Sequence, residues 1–199
     1  MKILAFSDLH RDTTVAQNIV DASKGADVIV GAGDFATYGR GAGEVFSVLK
    51  SSGVPTVIVS GNHDNSRELQ RLCEGWENGH LLHGQKTIIG NLTFFGLGDE
   101  IPKRHDAEWN QCLSEDQAAT MLSRCPQNAV LVTHTPPFGH CDLQKDGTHE
   151  GSISILAAIK AKKPILNLCG HIHSSWGTSE MIGDTAVNNL GPSINWSKI

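Results

Sequence analysis

A single tyrosine stands among 199 residues, and aromatics make up only 6%. There is no Cys-x-x-C pair, no internal repeat, no low-complexity stretch and no apolar run near the roughly 18 residues of a membrane span. The five cysteines, Cys73, Cys112, Cys125, Cys141 and Cys169, are odd in number and scattered. That excludes a disulfide-framed scaffold and points to a reducing, cytoplasmic setting. Met1-Lys2 leads straight into an apolar stretch, with nothing that reads as a secretory signal. Basic residues form no stripe: sixteen Lys and Arg against 21 Asp and Glu give a formal charge of −5. Broad electrostatic binding to nucleic acid or an anionic membrane is therefore not expected.

What is present is a globular composition, 39% hydrophobic and 19% charged, in a length that suits one domain over residues 1–199. Ten histidines are the unusual count, and histidine is the commonest metal ligand. Short apolar runs at 3–6, 27–30, 56–59, 130–132 and 165–169 read as strands. Helical periodicity is expected over 13–23, 44–50, 66–74 and 153–162. A further helix should run from a capping box at Ser114-Glu115-Asp116-Gln117 to about 124. Gly90-Asn91 and Gly183-Asp184 mark two hairpins. Alternating strands and helices predict βαβ units and a parallel sheet. The stretches 35–43, 96–111 and 135–150 read as loops that wall a pocket.

The organising stretch is Ser60-Gly61-Asn62-His63-Asp64, directly after the strand Thr56-Val57-Ile58-Val59. Gly61 is expected to turn the chain sharply there. Four other strand ends carry the same kind of residue: Asp8 with His10, Asp34, His134, and His171 with His173. In an extended segment, residues two apart point to one side, so each spaced pair can reach a common point. A lone strand-end Asp usually caps a turn, and a lone His is usually just solvated. That reading suffices for His80, His83, His105, His140 and His149, but it would have to recur five times at strand ends. Seven converging ligands exceed what one catalytic zinc needs and suit two metals, with Asp34 able to bridge. Mixed Asp, His and Asn ligation without Cys favours Mn, Fe, Zn or Co.

The order Asp-x-His, Gly-Asp, Gly-Asn-His-Asp, His, Gly-His-x-His over positions 8–173 resembles the calcineurin-like metallophosphoesterases. The blocks from Thr133 to Asp142 and from Gly170 to Gly177 are most similar to a small single-domain subgroup, the metallophosphoesterase-domain-containing brain proteins and their microbial relatives. The resemblance implies an α/β fold, a two-sheet sandwich flanked by helices in four αββα layers. It implies that Asp8, His10 and His173 hold one divalent metal, that Asn62, His134 and His171 hold the other, and that Asp34 bridges them with a water or hydroxide. His63 would stand just outside the metals.

Together these readings predict a hydrolase of small phosphodiesters, cyclic nucleotides among them, or of activated phosphomonoesters. A bridging hydroxide would attack phosphorus, and a protonated His63 would donate to the leaving oxygen while Asp64 orients it. Two metals would leave the site positive within an acidic chain, which explains how it attracts a phosphate ester. The alternatives are a nuclease of the same fold, which the acidic balance argues against, and a non-catalytic metal-binding scaffold. Partners beyond a small phosphate ester are not expected, and the oligomeric state, a homodimer included, is left open.

Overall fold

Strands open and close the chain described by the computed structural model, which covers Met1–Ile199. In chain order the elements are β1 (Lys2–Phe6), α1 (Thr13–Ala22), β2 (Val28–Ala32), α2 (Ala42–Lys50), β3 (Thr56–Val59), α3 (Ser66–Cys73) and β4 (Gly79–Leu81). Then come β5 (Gln85–Ile89), β6 (Leu92–Leu97), α4 (Glu115–Leu122), β7 (Val130–Thr133), α5 (Ile153–Lys162), β8 (Leu166–Cys169), β9 (Ser179–Ile182), β10 (Thr185–Asn189) and β11 (Asn195–Lys198). They form two sheets, ordered β11-β1-β2-β3-β4 and β5-β6-β7-β8-β10-β9. No helix is long and apolar enough to cross a membrane.

The strand residues explain the layering. Ile3, Ala5, Val28, Val30, Val57 and Val59 of the first sheet meet Phe94, Val130, Val132, Leu166 and Leu168 of the second in one buried cluster. The alternate residues Leu4, Phe6, Ile29 and Ile58 face the other way, onto Ala16, Ile19, Val45, Phe46, Leu49 and Leu69 of α1–α3. On the second sheet Phe95, Leu97 and Leu131 pack onto Ala118, Leu122, Ile155 and Ile159 of α4 and α5. Both faces of each sheet are therefore covered, which is why these strands read as continuous apolar runs. The result is the four-layer αββα sandwich.

Three details differ from the sequence reading. The sheet is not single and parallel: β1-β2-β3-β4 and β6-β7-β8-β10 are parallel cores, and β11, β5 and β9 join antiparallel at the edges. β6 runs on through Gly96-Leu97, which pair with Val132-Thr133. A Cβ on Gly96 would collide with Leu82 and Val59, so the glycine marks close sheet contact and not a loop. α4 ends at Leu122, two residues early.

The capping box forms as read: Gln117 N–H donates to Ser114 Oγ at 3.2 Å and Ser114 N–H to Gln117 Oε1 at 2.8 Å. Ser114→Ala removes one side of it and should lower unfolding stability by about 1 kcal/mol. Urea unfolding at fixed metal loading measures this; a loss above about 3 kcal/mol would mean that the cap does more than end a helix.

Candidate metal centre

Segments leaving β1, β2 and β3 of one sheet meet those leaving β7 and β8 of the other. Backbone bonds knit them: Asp8 N–H donates to Gly33 O, His10 N–H to Asp34 O, and Gly170 N–H to His134 O, each at 2.9 Å. Two glycines permit this approach. A Cβ on Gly61 would collide with the Asp34 carboxylate and backbone nitrogen, and one on Gly170 with Asp8 and Ser7. The chain turns at Gly61 as expected, its carbonyl accepting the Asp64 N–H at 3.3 Å, but Gly61 is not left-handed, and glycine is required there by closeness to Asp34.

The spaced pairs do not converge through strand alternation. Asp8, His10, Asp34 and His171 all lie in the left-handed region, with φ of 56°, 44°, 57° and 68°. His173 begins a short 3₁₀ turn, His173–Ser175. Tight turns beyond the strands aim these side chains, a backbone choice that costs energy for any residue with a Cβ.

Asp34 lies at the centre, 1% exposed. Its Oδ1 accepts the His63 N–H at 2.8 Å. Its Oδ2 stands 3.6 Å from His10 Nε2 and 3.5 Å from His134 Nε2. Burial opposes its charge, but His134, His10 and His63 prevail and hold the carboxyl well below its usual range. His134 is fully buried; its Nδ1 donates to Ala32 O at 2.8 Å, leaving Nε2 toward Asp34 and 3.1 Å from Asn62 Oδ1. Burial pushes its pKa down, yet Asp34 and Asp8 raise it to about 10. A position where a buried imidazole is held protonated by carboxylates is one that favours a cation.

Asp8, His10 and His173 each offer a ligand atom within 4.8 Å of the others, and Asp8, Asp34 and His134 do the same. His173 Nε2 is 3.7 Å from Asp8 Oδ1. His10 Nδ1 lies 3.3 Å from Ala36 O, the geometry of a donated N–H, while its Nε2 is buried without a hydrogen-bond partner. An orphaned buried nitrogen facing carboxylates fits a divalent ion, as does a donor set of imidazoles and oxygens with no thiolate. His171 differs in direction. Its Nε2 lies 3.5 Å from Glu100 Oε1, so Nδ1 is the nitrogen left for a metal. Asp34 Oδ2 lies between the Nε2 atoms of His10 and His134.

His63 sits beside the cluster, 4.9 Å from the His10 ring and stacked on Trp109 at 4.3 Å. Its Nδ1 accepts the Tyr38 N–H at 3.1 Å. A neutral imidazole accepting there carries its proton on Nε2. Burial lowers its pKa against the pull of Asp34, with His10, His134 and His171 adding to the lowering. Asp64 does not orient it. That buried carboxylate accepts from the backbone N–H groups of Asp34, Ala36 and Gly61 at 2.8–2.9 Å, so it fixes the loop that carries Asp34. The expectation that Asp64 orients His63 is corrected by these contacts.

Sequence pattern gave no notice of four neighbours. Trp176 donates from Nε1 to Asp8 Oδ2 at 3.2 Å and stacks on His173 at 4.0 Å. Glu100 and Asn110 lie behind His171 and Asn62. Tyr38 flanks His63 and Trp109.

A profile of the calcineurin-like phosphoesterase superfamily domain matches residues 1–197. The chain belongs to that superfamily. A UPF0046 protein of Caenorhabditis elegans is 26% identical over 208 residues, covering 94% of this chain and 69% of that protein. The crystal structure of TT1561 of Thermus thermophilus superposes with a TM-score of 0.78 at 20% identity, covering 98% of this chain and 97% of its own. A dimetal phosphatase from Danio rerio superposes with a TM-score of 0.64 at 12% identity, covering 96% and 88%. Divalent-metal binding and phosphoester hydrolysis are what this family membership supports.

Two outcomes test the centre. Asp34→Asn should lower bound metal sharply while the far-ultraviolet circular dichroism of the fold persists; full metal content in that variant would remove Asp34 from the centre. Metal uptake should also release a proton from His134, because an imidazole ligand must be neutral. Calorimetric titration of Mn in two buffers of different ionisation enthalpy reads this, and uptake without proton release would mean that His134 is already neutral before metal binds.

Proposed function

We propose that this chain is a dinuclear metal-dependent phosphoesterase acting on small phosphodiesters, with Asp8, His10 and His173 on one ion, Asn62, His134 and His171 on the other, and Asp34 shared. The observation that carries the reading is Asp34 Oδ2 set between two imidazole nitrogens whose other ring atoms engage carbonyls. The dimetal phosphatase among its structural neighbours supports a count of two. Divalent ions held there would polarise phosphoryl oxygens and supply a nucleophilic water at neutral pH.

The residues of this chain set the charge of the substrate. The close carboxylate–cation contacts inside the centre all involve histidine, and none involves Lys or Arg. Two divalent ions bring four positive charges, and Asp8, Asp34, Glu100 and a bound hydroxide return four negative ones. With no surplus positive charge and no arginine at the centre, a diester monoanion suits the site better than a monoester dianion, for which arginine is a common partner. Manganese, iron, zinc and cobalt all suit the donors.

His63 then acts as a hydrogen-bond donor through Nε2–H. A neutral imidazole accepting an N–H at Nδ1 is a poor acid, and two nearby cations would disfavour its charged form further. Its role is to hold a phosphoryl oxygen while Trp109 and the Tyr38 backbone fix its plane. A hydrogen bond to a charged group is worth about 1.5–3 kcal/mol. His63→Ala should therefore slow turnover by about 10–100-fold, equally for an alkyl diester and a nitrophenyl diester at matched metal loading. A loss confined to the alkyl diester would restore a leaving-group acid.

The function itself is tested with metal-loaded protein on nitrophenyl diesters, a nitrophenyl monoester and cyclic nucleotides, each with and without chelator. Diester turnover above monoester turnover, abolished by chelation and restored by Mn, is the expected result. Preference for the monoester would overturn the diester assignment, and two bound ions without turnover would mark a binding scaffold.

A further inference from the structure

The stretch between Leu97 and Leu113 has no helix or strand, yet part of it is tied into both sheets by hydrogen bonds. Asp99 N–H donates to Ser60 O at 2.8 Å, and Asp99 Oδ1 accepts the Ser60 hydroxyl at 2.6 Å. Gln111 N–H donates to Asn62 O at 3.0 Å, and Glu100 N–H to Gln111 O at 3.0 Å. Ile101 N–H donates to Thr135 Oγ1 at 3.0 Å, across on the second sheet. The segment is thus pinned to the ends of β3 and β7, one in each sheet.

Two of its side chains turn inward. Glu100 is 3% exposed and Asn110 is 8% exposed. Asn110 Nδ2 donates to Glu100 Oε2 at 2.7 Å, and Asn110 Oδ1 accepts from Asn62 Nδ2 at 3.0 Å. Glu100 Oε1 lies 3.5 Å from His171 Nε2. The second bond settles which way the Asn62 amide faces. With its nitrogen on Asn110, its oxygen is the atom presented beside His134. The third contact turns His171 Nε2 toward Glu100, which leaves Nδ1 as the nitrogen free for the ion. One buried pair therefore reaches two side chains, from different sheets, that serve the same ion.

We infer that Glu100 and Asn110 form a single positioning unit that pre-sets Asn62 and His171 for the second metal and leaves the first untouched. The residues of the other ion are held differently: Asp8 accepts from the Ser7 hydroxyl, Trp176 Nε1 and the His171 backbone N–H, His10 faces the Ala36 carbonyl, and the His173 ring lies against Trp176, none of them touching the Glu100 or Asn110 side chain. A carboxylate behind a ligating imidazole fixes its ring and raises its basicity, and losing such a partner typically costs about 10–100-fold in metal affinity. The chemistry at Glu100 is unforgiving of an isostere. His171 Nε2–H, Asn110 Nδ2–H and the Arg104 N–H at 3.1 Å are all donors. A glutamine there must aim its own amide hydrogens at one of them.

This inference rests on the two-ion reading above, and the experiment separates the two. Metal-free protein is titrated with Mn by calorimetry, and the mixed and coupled Mn signals are followed by electron paramagnetic resonance. The wild type should show two binding events and a spin-coupled pair. Glu100→Gln should weaken one event by about 10–100-fold, leave the other unchanged and replace the coupled signal with that of an isolated ion. Asn110→Ala should weaken the same event, and the double variant should cost little more than either alone, because the two residues act as a unit. A wild type that binds one ion overturns both readings. Two unchanged events in Glu100→Gln overturn this one alone. Equal weakening of both events with a lowered melting temperature also overturns it, since that marks a general packing role. Effects of the two variants on different ions would dissolve the unit.

Discussion

A carboxylate removed from water beside three imidazoles is the constraint on which this molecule turns. Asp34 is buried, and an isolated buried carboxylate costs several kcal/mol unless it is paired and hydrogen-bonded. One oxygen is satisfied by a backbone N–H, and the other has only imidazole nitrogens near it. Its own loop is held by Asp64, a second buried carboxylate that takes three backbone N–H groups. Burial beside Asp34 pushes Asp64 up to about 7, so the two acids strain one another and their neighbours must compensate. Gly61 has no side chain because Asp34 occupies that space. The loops after β1, β2 and β3 are consequences of housing this one group.

The sandwich makes that housing possible. A single parallel sheet would offer ligands along a line, whereas here two parallel cores end at the same place and close on a common point. Asp8, His10, Asp34 and Asn62 come from one sheet, and His134, His171 and His173 from the other. The layer between them is apolar, and polar links between the sheets gather at the end that carries the centre. An ion held by both sheets binds the folded chain alone and stabilises it by mass action. On the proposed ligand set, metal affinity and resistance to unfolding are thereby linked through the same side chains.

Much of this is visible in the sequence, for identifiable reasons. Strands covered on both faces are uninterrupted apolar runs, so β1, β2, β3, β7 and β8 and the residues at their ends stand out. β11 does not: Asn195-Trp196-Ser197-Lys198 is polar, and it is a strand only because β1 offers a free edge. The capping box is a local pattern and survives unchanged. Glu100, Asn110, Trp176 and Tyr38 act through contacts with residues far away in the chain, and no local spacing announces such contacts. Asp64 is adjacent to His63 in sequence, yet the turn that follows Gly61 sends their side chains to different partners. Nearness along the chain suggested a dyad that tertiary closure does not build.

The residues that break local rules are themselves informative. Four of the proposed ligands adopt left-handed backbone, an imidazole nitrogen lies buried without a partner, and the carboxylates of Asp8 and Asp34 are both nine-tenths or more buried. Each is unfavourable alone, and scattered through a fold they would read as defects. They occur together, at one end of one sandwich, and every one concerns a group that would face a cation. A positive charge there relieves all of them at once: it gives His10 Nε2 a partner, offsets Asp8 and Asp34, and gives the turns a reason to hold their strained shape. Sequences agree with their folds locally almost everywhere, and concerted disagreement marks the place where function has been favoured over stability. In this chain the strain and the chemistry have the same address, and the rest of the structure is the rigid support that keeps them there.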